Sequence, residues 1–241
     1  MEIITSKATV NKLIADAVPA HSIGLNNFVA AIQSSVLHKK IRFPLLEHAA
    51  DTIFKTLPDK EHIPFLDKTI ALHELGGNVL AGKILQNRLP QYFNQSIDKA
   101  VEYIVAGNQW YVCDIIGERV LGYALLTSPK STLPVLQNFA AHPDKWIVRS
   151  IGVAGHYAVK KGLQKQYVDA LFQLLLSLAG TTDFHTKKGI GWAAKTCAKF
   201  HPEIIEQYRD KIDAGTTRQW FRTKVKIGLG RTDKYAKRHT G

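Results

Sequence analysis

The stretch from Ile63 to Pro90, IPFLDKTIALHELGGNVLAGKILQNRLP, decides how this chain is read. Its apolar residues fall at Ile63, Phe65, Leu66, Ile70, Leu72 and Leu75, the three- and four-residue spacing of a helix with one buried face. Gly76-Gly77 is expected to end that helix. A second helix then runs through Val79, Leu80, Ile84, Leu85 and Leu89 until Pro90 stops it. The same two-helix plan returns three times. Ser96 to Val105 precedes Trp110 to Leu126; Leu133 to Ala140 precedes Asp144 to Lys160; Tyr167 to Ala179 precedes Asp183 to Phe200. Glycine, proline and asparagine punctuate the joints, and Asp144 and Asp183 stand where helix N-caps belong.

Tryptophans at 110, 146 and 192 mark the second helices at intervals of 36 and 46 residues. Helical pairs repeating every 40 residues or so are the signature of HEAT and armadillo arrays, which stack into a curve with one long concave face. An all-α, curved solenoid of HEAT-like repeats is the expected fold, with an ordinary helical bundle as the alternative. Residues 1–217 are expected to form one domain. Within it, residues 1–60 read as atypical helices over Leu25–Ser35 and Pro44–Leu57. Residues 218–241 read as a separate basic tail, +7 in 24 residues, in which Lys224-Val225-Lys226-Ile227 alternates like a short strand or hairpin.

A chain of 241 residues can bury a core without disulfides or a structural metal. Its two cysteines, Cys113 and Cys197, are too few for a disulfide scaffold and point to a reducing, cytoplasmic setting. No secretory signal is apparent, and the most apolar run, Leu171 to Ala179, is too short to span a bilayer. The formal net charge of +12 favours a polyanionic partner. No phosphate-binding glycine loop and no His-Glu-x-x-His metal helix is present, so neither cofactor nor metal is expected.

Chemistry concentrates in three places. Trp110 and Asp114 are four apart, so one helix face offers an indole beside a carboxylate, a pair suited to a cationic group. Arg149 follows Lys145 by one turn; a guanidinium there suits a phosphate and can also keep a nearby carboxylate ionised. Phe184-His185-Thr186-Lys187-Lys188-Gly189-Ile190-Gly191-Trp192 interleaves aromatics with cations, a general feature of nucleic-acid interfaces. Taken alone, each also reads as a packed aromatic or a solvated charge.

Together, Trp110-x-x-x-Asp114, Trp146-x-x-Arg149 and Lys188-Gly189-Ile190-Gly191-Trp192 resemble the DNA alkylation repair family, the HEAT-like-repeat alkylpurine DNA glycosylases. The resemblance covers about residues 60 to 215. It departs from the family's usual Trp-Asp-x-Val-Asp at Tyr111 and Cys113, and His185 stands where many members carry another aromatic. The resemblance implies a monomeric enzyme on double-stranded DNA that releases cationic N3- or N7-alkylated purines without a deep base pocket. It implies Asp114 as the carboxylate stabilising the sugar cation, and Trp110 and Trp192 as aromatic walls beside the deoxyribose. Arg149 would hold the DNA backbone, and Lys145, Lys187, Lys188 and Lys195 would line the same face, near Phe184 and His185. Some relatives keep this set as non-catalytic binders of damaged or branched DNA, and a protein- or RNA-binding scaffold is the remaining reading.

Overall fold

The computed structural model describes residues 2–232, which are almost entirely helical; the all-α expectation holds. The chain divides into two compact units, residues 1–103 and Ile104 onward.

The first unit opens with two-residue strands, β1 (Ile3–Ile4) and β2 (Lys40–Ile41), paired in parallel with Ile3 opposite Lys40. Between them lie α1 (Lys7–Ile23) and α2 (Leu25–Ile32), the latter running on into a π-helical turn over Gln33–Leu37. Helix α1 was not legible in the sequence. It carries Pro19 inside and buries only Val10, Ile14 and Ala17, although the Ser6 hydroxyl caps it by accepting from the Thr9 amide. Then come α3 (Phe43–Thr56), α4 (His62–Ile70), α5 (Leu75–Arg88) and α6 (Phe93–Gly107). The glycine pair does not end α4 as expected; it forms the first turn of α5. The actual stop is His73, held at φ 55°, with its amide bonded to the Ile70 carbonyl. Gly77 allows the close packing of the two helices, because a Cβ there would crowd the Thr69 carbonyl at 3.2 Å.

The second unit contains α7 (Trp110–Ile116), a π-helical turn over Gly117–Gly122, and α8 (Tyr123–Thr127), where one continuous helix was expected. It continues with α9 (Pro129–Phe139), α10 (Lys145–Lys160), α11 (Lys165–Ser177), α12 (Phe184–Phe200), α13 (Pro202–Gln207), α14 (Arg209–Asp213) and α15 (Gln219–Leu229). The packing of α7–α8, α10, α12 and α15 is in register and parallel. Gly117 lies against Ser150 and Val153, and Gly122 against Tyr157. Gly152 lies on Gly189, and Gly191 on Lys224. Gly152 and Gly189 make the tightest seam, since a Cβ on Gly152 would overlap the Gly189 carbonyl and one on Gly189 would overlap the Arg149 carbonyl. Asp144 and Asp183 cap α10 and α12 as expected, their carboxylates accepting at 2.7 Å from the amides of Trp146 and Thr186.

The stretch around Lys224 is neither strand nor free tail. It lies in α15, which buries Phe221 and Val225 one helical turn apart, with Phe221 6.1 Å from the Phe172 ring. Its arginines are part of the fold. Arg218 donates through Nε to the Gly180 carbonyl at 2.8 Å. Arg222 donates to the carbonyls of Ile212, Asp213 and Ala214. The expected tail beyond Thr232 lies outside the described residues. Counted from the helix starts, the evenly spaced aromatics are therefore Trp110, Trp146, Phe184 and Trp220, each at the first or second position of its helix. Trp192 is the ninth residue of α12, so the interval of 46 residues came from a residue of a different kind.

Among the described residues, no helix is long and apolar enough to cross a membrane, and no three ligating side chains cluster as a metal site.

Candidate functional site

The first turns of α7, α10 and α12 lie side by side, and the side chains they carry meet around one ion pair. Asp114, one turn into α7, keeps 18% of its side-chain surface exposed. Arg149, one turn into α10, closes on it as a fork: Nε donates to Oδ1 at 2.9 Å and Nη2 to Oδ2 at 2.8 Å. The remaining arm, Nη1, donates at 3.1 Å to the carbonyl of His185 in the first turn of α12. One guanidinium thus ties three helices together. Arg149 was expected at the DNA backbone. Instead it is 7% exposed, with three of its five N–H groups spent on protein acceptors.

Aromatic groups surround this pair in two states. Trp146 is core: its indole N–H donates to Asn108 Oδ1 at 2.7 Å, and its carbonyl accepts from the Cys113 thiol at 3.2 Å. Asn108 is held for this contact at φ 43°, just ahead of α7. Burial pushes the Cys113 thiol well up, so it stays protonated and serves as donor. The His185 ring leans on Trp146 with centroids 4.3 Å apart. Trp110 and Phe184, by contrast, are 54% and 59% exposed at the helix starts on either side. Exposed rings of that size on the rim of an ion pair are unusual in a folded core and suit a stacking partner. Lys188 lies 5.1 Å from the Phe184 ring, Lys145 lies 5.1 Å from the Trp146 ring, and Lys187, next to Lys188 in sequence, is half-buried.

Trp192 and Lys195 belong to a second cluster. Seven residues separate Trp192 from His185, two turns or about 10 Å along α12. There the Trp192 ring stacks on His156 of α10, with centroids 3.9 Å apart and planes 20° from parallel. The Thr196 hydroxyl bonds both the Trp192 carbonyl, at 2.9 Å, and His156 Nδ1, at 2.7 Å. Burial, with Lys160 and Lys195 adding to it, pushes the His156 pKa down to about 4, so the ring is neutral near pH 7. Burial also lowers the Lys195 pKa, as do the cations Arg231, Lys224 and Lys199.

Of the expected residues, then, the structure joins Asp114, Arg149 and His185 directly, rims them with Trp110, Phe184, Lys145 and Lys188, and sets Trp192 and Lys195 apart. Sequence reasoning missed His156, Asn108 and Trp220, whose indole N–H donates to the Thr181 carbonyl at 3.2 Å. The even spacing of helix starts could have found Trp220; nothing local marks His156, whose partner lies 36 residues away.

A sequence profile described as DNA alkylation repair enzyme matches residues 35–224, which takes in the whole of the site. No curated protein and no solved structure shows significant similarity to the chain. With more than three-quarters of its length under that one profile, and the ion pair and its aromatic rim inside the match, the chain belongs to the DNA alkylation repair enzyme family.

Proposed function

We propose that this protein is a DNA glycosylase that removes cationic N3- or N7-alkylated purines from duplex DNA, using a concave face built from HEAT-like helical pairs. The observation that carries the reading is Asp114, a carboxylate held by a two-pronged guanidinium beside an exposed indole, in a chain of this family. Alkylation at N3 or N7 already places a positive charge on the purine. Breaking the glycosidic C–N bond returns the bonding pair to the base, which leaves neutral and needs no general acid. The positive charge passes to the deoxyribose as an oxocarbenium ion, and stabilising it is an electrostatic task. Asp114 meets that task as a fixed anion. The Arg149 fork takes one lone pair on each oxygen and sets the carboxylate plane, leaving the other lone pairs to accept from a water. That water adds to the sugar carbon and loses a proton to solvent, leaving an abasic site. Trp110 stacks against the sugar, and Lys145, Lys187 and Lys188 approach the backbone beside Phe184 and His185.

The fork also favours a second reading. The positive charge of Arg149 offsets the negative charge of Asp114 at close range, which suits a protein that binds damaged or branched DNA without turning it over. Release of a methylated purine from N-methylated duplex, by wild type and by Asp114→Asn, separates the two. A glycosylase releases base as wild type and loses about 100- to 1000-fold in rate on losing the charge, with duplex affinity nearly intact. A wild type that binds duplex and releases nothing rejects the glycosylase.

A further inference from the structure

The C-terminal halves of α10 and α12, with the turn after α15, border a cavity of about 460 Å³. Its walls include His156, Lys160, Lys161, Trp192, Lys195 and Arg231. Among the described residues, none of these four cations forms an ion pair with a carboxylate. The charges that act on Lys195 come from Arg231, Lys224 and Lys199, and those on His156 from Lys160 and Lys195; all are positive.

A structural role accounts for part of this. Lys160 and Lys161 close α10, where a cation complements the partial negative charge of a helix end. Lys195 has no such reason. It lies in the interior of α12, half-buried, five residues ahead of the helix end, and it faces cations from α12, α15 and the turn after α15. Gathering like charges at a concavity destabilises the fold unless an anion completes the set. The apolar wall is preformed too: the Trp192 ring stacks on His156, and the Thr196 hydroxyl ties the His156 ring to the Trp192 backbone carbonyl.

We propose that this cavity is a phosphate subsite that takes one backbone phosphate of the DNA, with the Trp192 and His156 rings against the adjoining sugar. The proposal rests on the DNA reading above and adds a second anchor to it. For a strand running along α12, the 10 Å between His185 and Trp192 is about three nucleotides at 3.4 Å per phosphate. The subsite would then hold the strand away from the reacting sugar, while Asp114 and Trp110 attend to the sugar itself. An internal phosphodiester and a free terminal phosphate share the chemistry; the volume and the aromatic wall favour the internal one.

The test uses unmodified duplex, so no base release enters it. Binding is followed by fluorescence anisotropy across a salt series for wild type, for Lys160→Gln/Lys161→Gln/Arg231→Gln, and for a control, Lys130→Gln/Lys211→Gln, on α9 and α14. The three pocket residues are solvent-facing, so the fold survives their change. The slope of log affinity against log salt should flatten by about 0.9 for the phosphate lost, and affinity at low salt should fall about tenfold, with the control unchanged. Lys195→Arg, which keeps the charge, should bind as wild type. Equal slopes for the pocket and control variants overturn the proposal while leaving the glycosylase reading standing. A wild type that releases no alkylpurine, yet shows the slope difference, does the reverse. A nicked duplex bearing a 5′-phosphate serves as a second arm. If the slope difference appears only with that end and not with intact duplex, a terminal phosphate is the occupant and the internal assignment fails. Protection of the wild type against heating by inorganic phosphate, without any duplex binding, also overturns it.

Discussion

His156 lies flat on Trp192, ring over ring at 3.9 Å, with Nδ1 hydrogen-bonded to Thr196. The arrangement has a proton balance. In the folded protein the imidazole titrates near pH 4, whereas in the unfolded chain it titrates near its ordinary 6.5. Between those values the unfolded chain takes up a proton that the folded protein does not. Stability from this group is therefore complete above about pH 6.5 and is lost as pH falls toward 4. The loss should be about 2 kcal/mol once the partial exposure of the ring is allowed for. Urea unfolding at pH 7 and at pH 4.5 checks it. His156→Gln should lose less stability than wild type over that interval, and an equal loss would rule out the histidine as its source.

Arg149 is expected to matter for stability as much as for binding. Arg149→Met leaves a carboxylate and the His185 carbonyl without their donor at a largely buried position. Breaking such a pair costs about 3 kcal/mol. The double variant Arg149→Met/Asp114→Asn should recover part of that loss, because the unpaired charge is gone. If Arg149 served DNA alone, thermal unfolding of the single variant would match wild type.

The seam between α10 and α12 predicts a sharp response to one methyl group. Gly152→Ala places a Cβ against the Gly189 backbone, which has no flexible end to move aside. Overpacking of this kind costs about 1–3 kcal/mol, and a rigid backbone neighbour puts it at the upper end. Because Arg149 and His185 sit on the two sides of the same seam, the variant should also lengthen their contact. A fall in melting temperature together with weakened duplex binding is expected; an unchanged melting temperature contradicts the close approach.

Helix α15 is expected to behave as core. Phe221→Ala should cost about 3–5 kcal/mol, the usual range for a fully buried phenylalanine. Truncation after residue 217 should do at least as much damage. Circular dichroism melts of the three forms distinguish a folded helix from a detachable charged extension.

Helix existence was legible along most of the chain because apolar spacing and capping acids report directly on local structure. Asp144 and Asp183 stand where the N-caps fall, and α10 and α12 begin within a residue of where they were read. What failed was local in another sense. In α1 an interior proline and a thin apolar stripe masked a real helix. In α15 the density of lysine and arginine from Arg218 onward outweighed the Phe221–Val225 pair. Trp192 was grouped with Trp110 because composition cannot tell a helix start from a helix interior. The site showed the same division. The shared face of Trp110 and Asp114 follows from their four-residue spacing. The grip of Arg149 on Asp114 spans 35 residues and depends on two helices packing in register, so no window of sequence contains it.

The arginines at the start of α15 give the charge of this protein a double meaning. Arg218 and Arg222 lie across the carbonyl ends of two preceding segments, Gly180 and Ile212 to Ala214. A guanidinium bound to neutral carbonyls keeps its full positive charge, so the same two groups that latch α15 still add to the long-range attraction for a polyanion. Fold closure and attraction for DNA are thereby coupled at these positions. Drift toward a less basic surface would have to retain them.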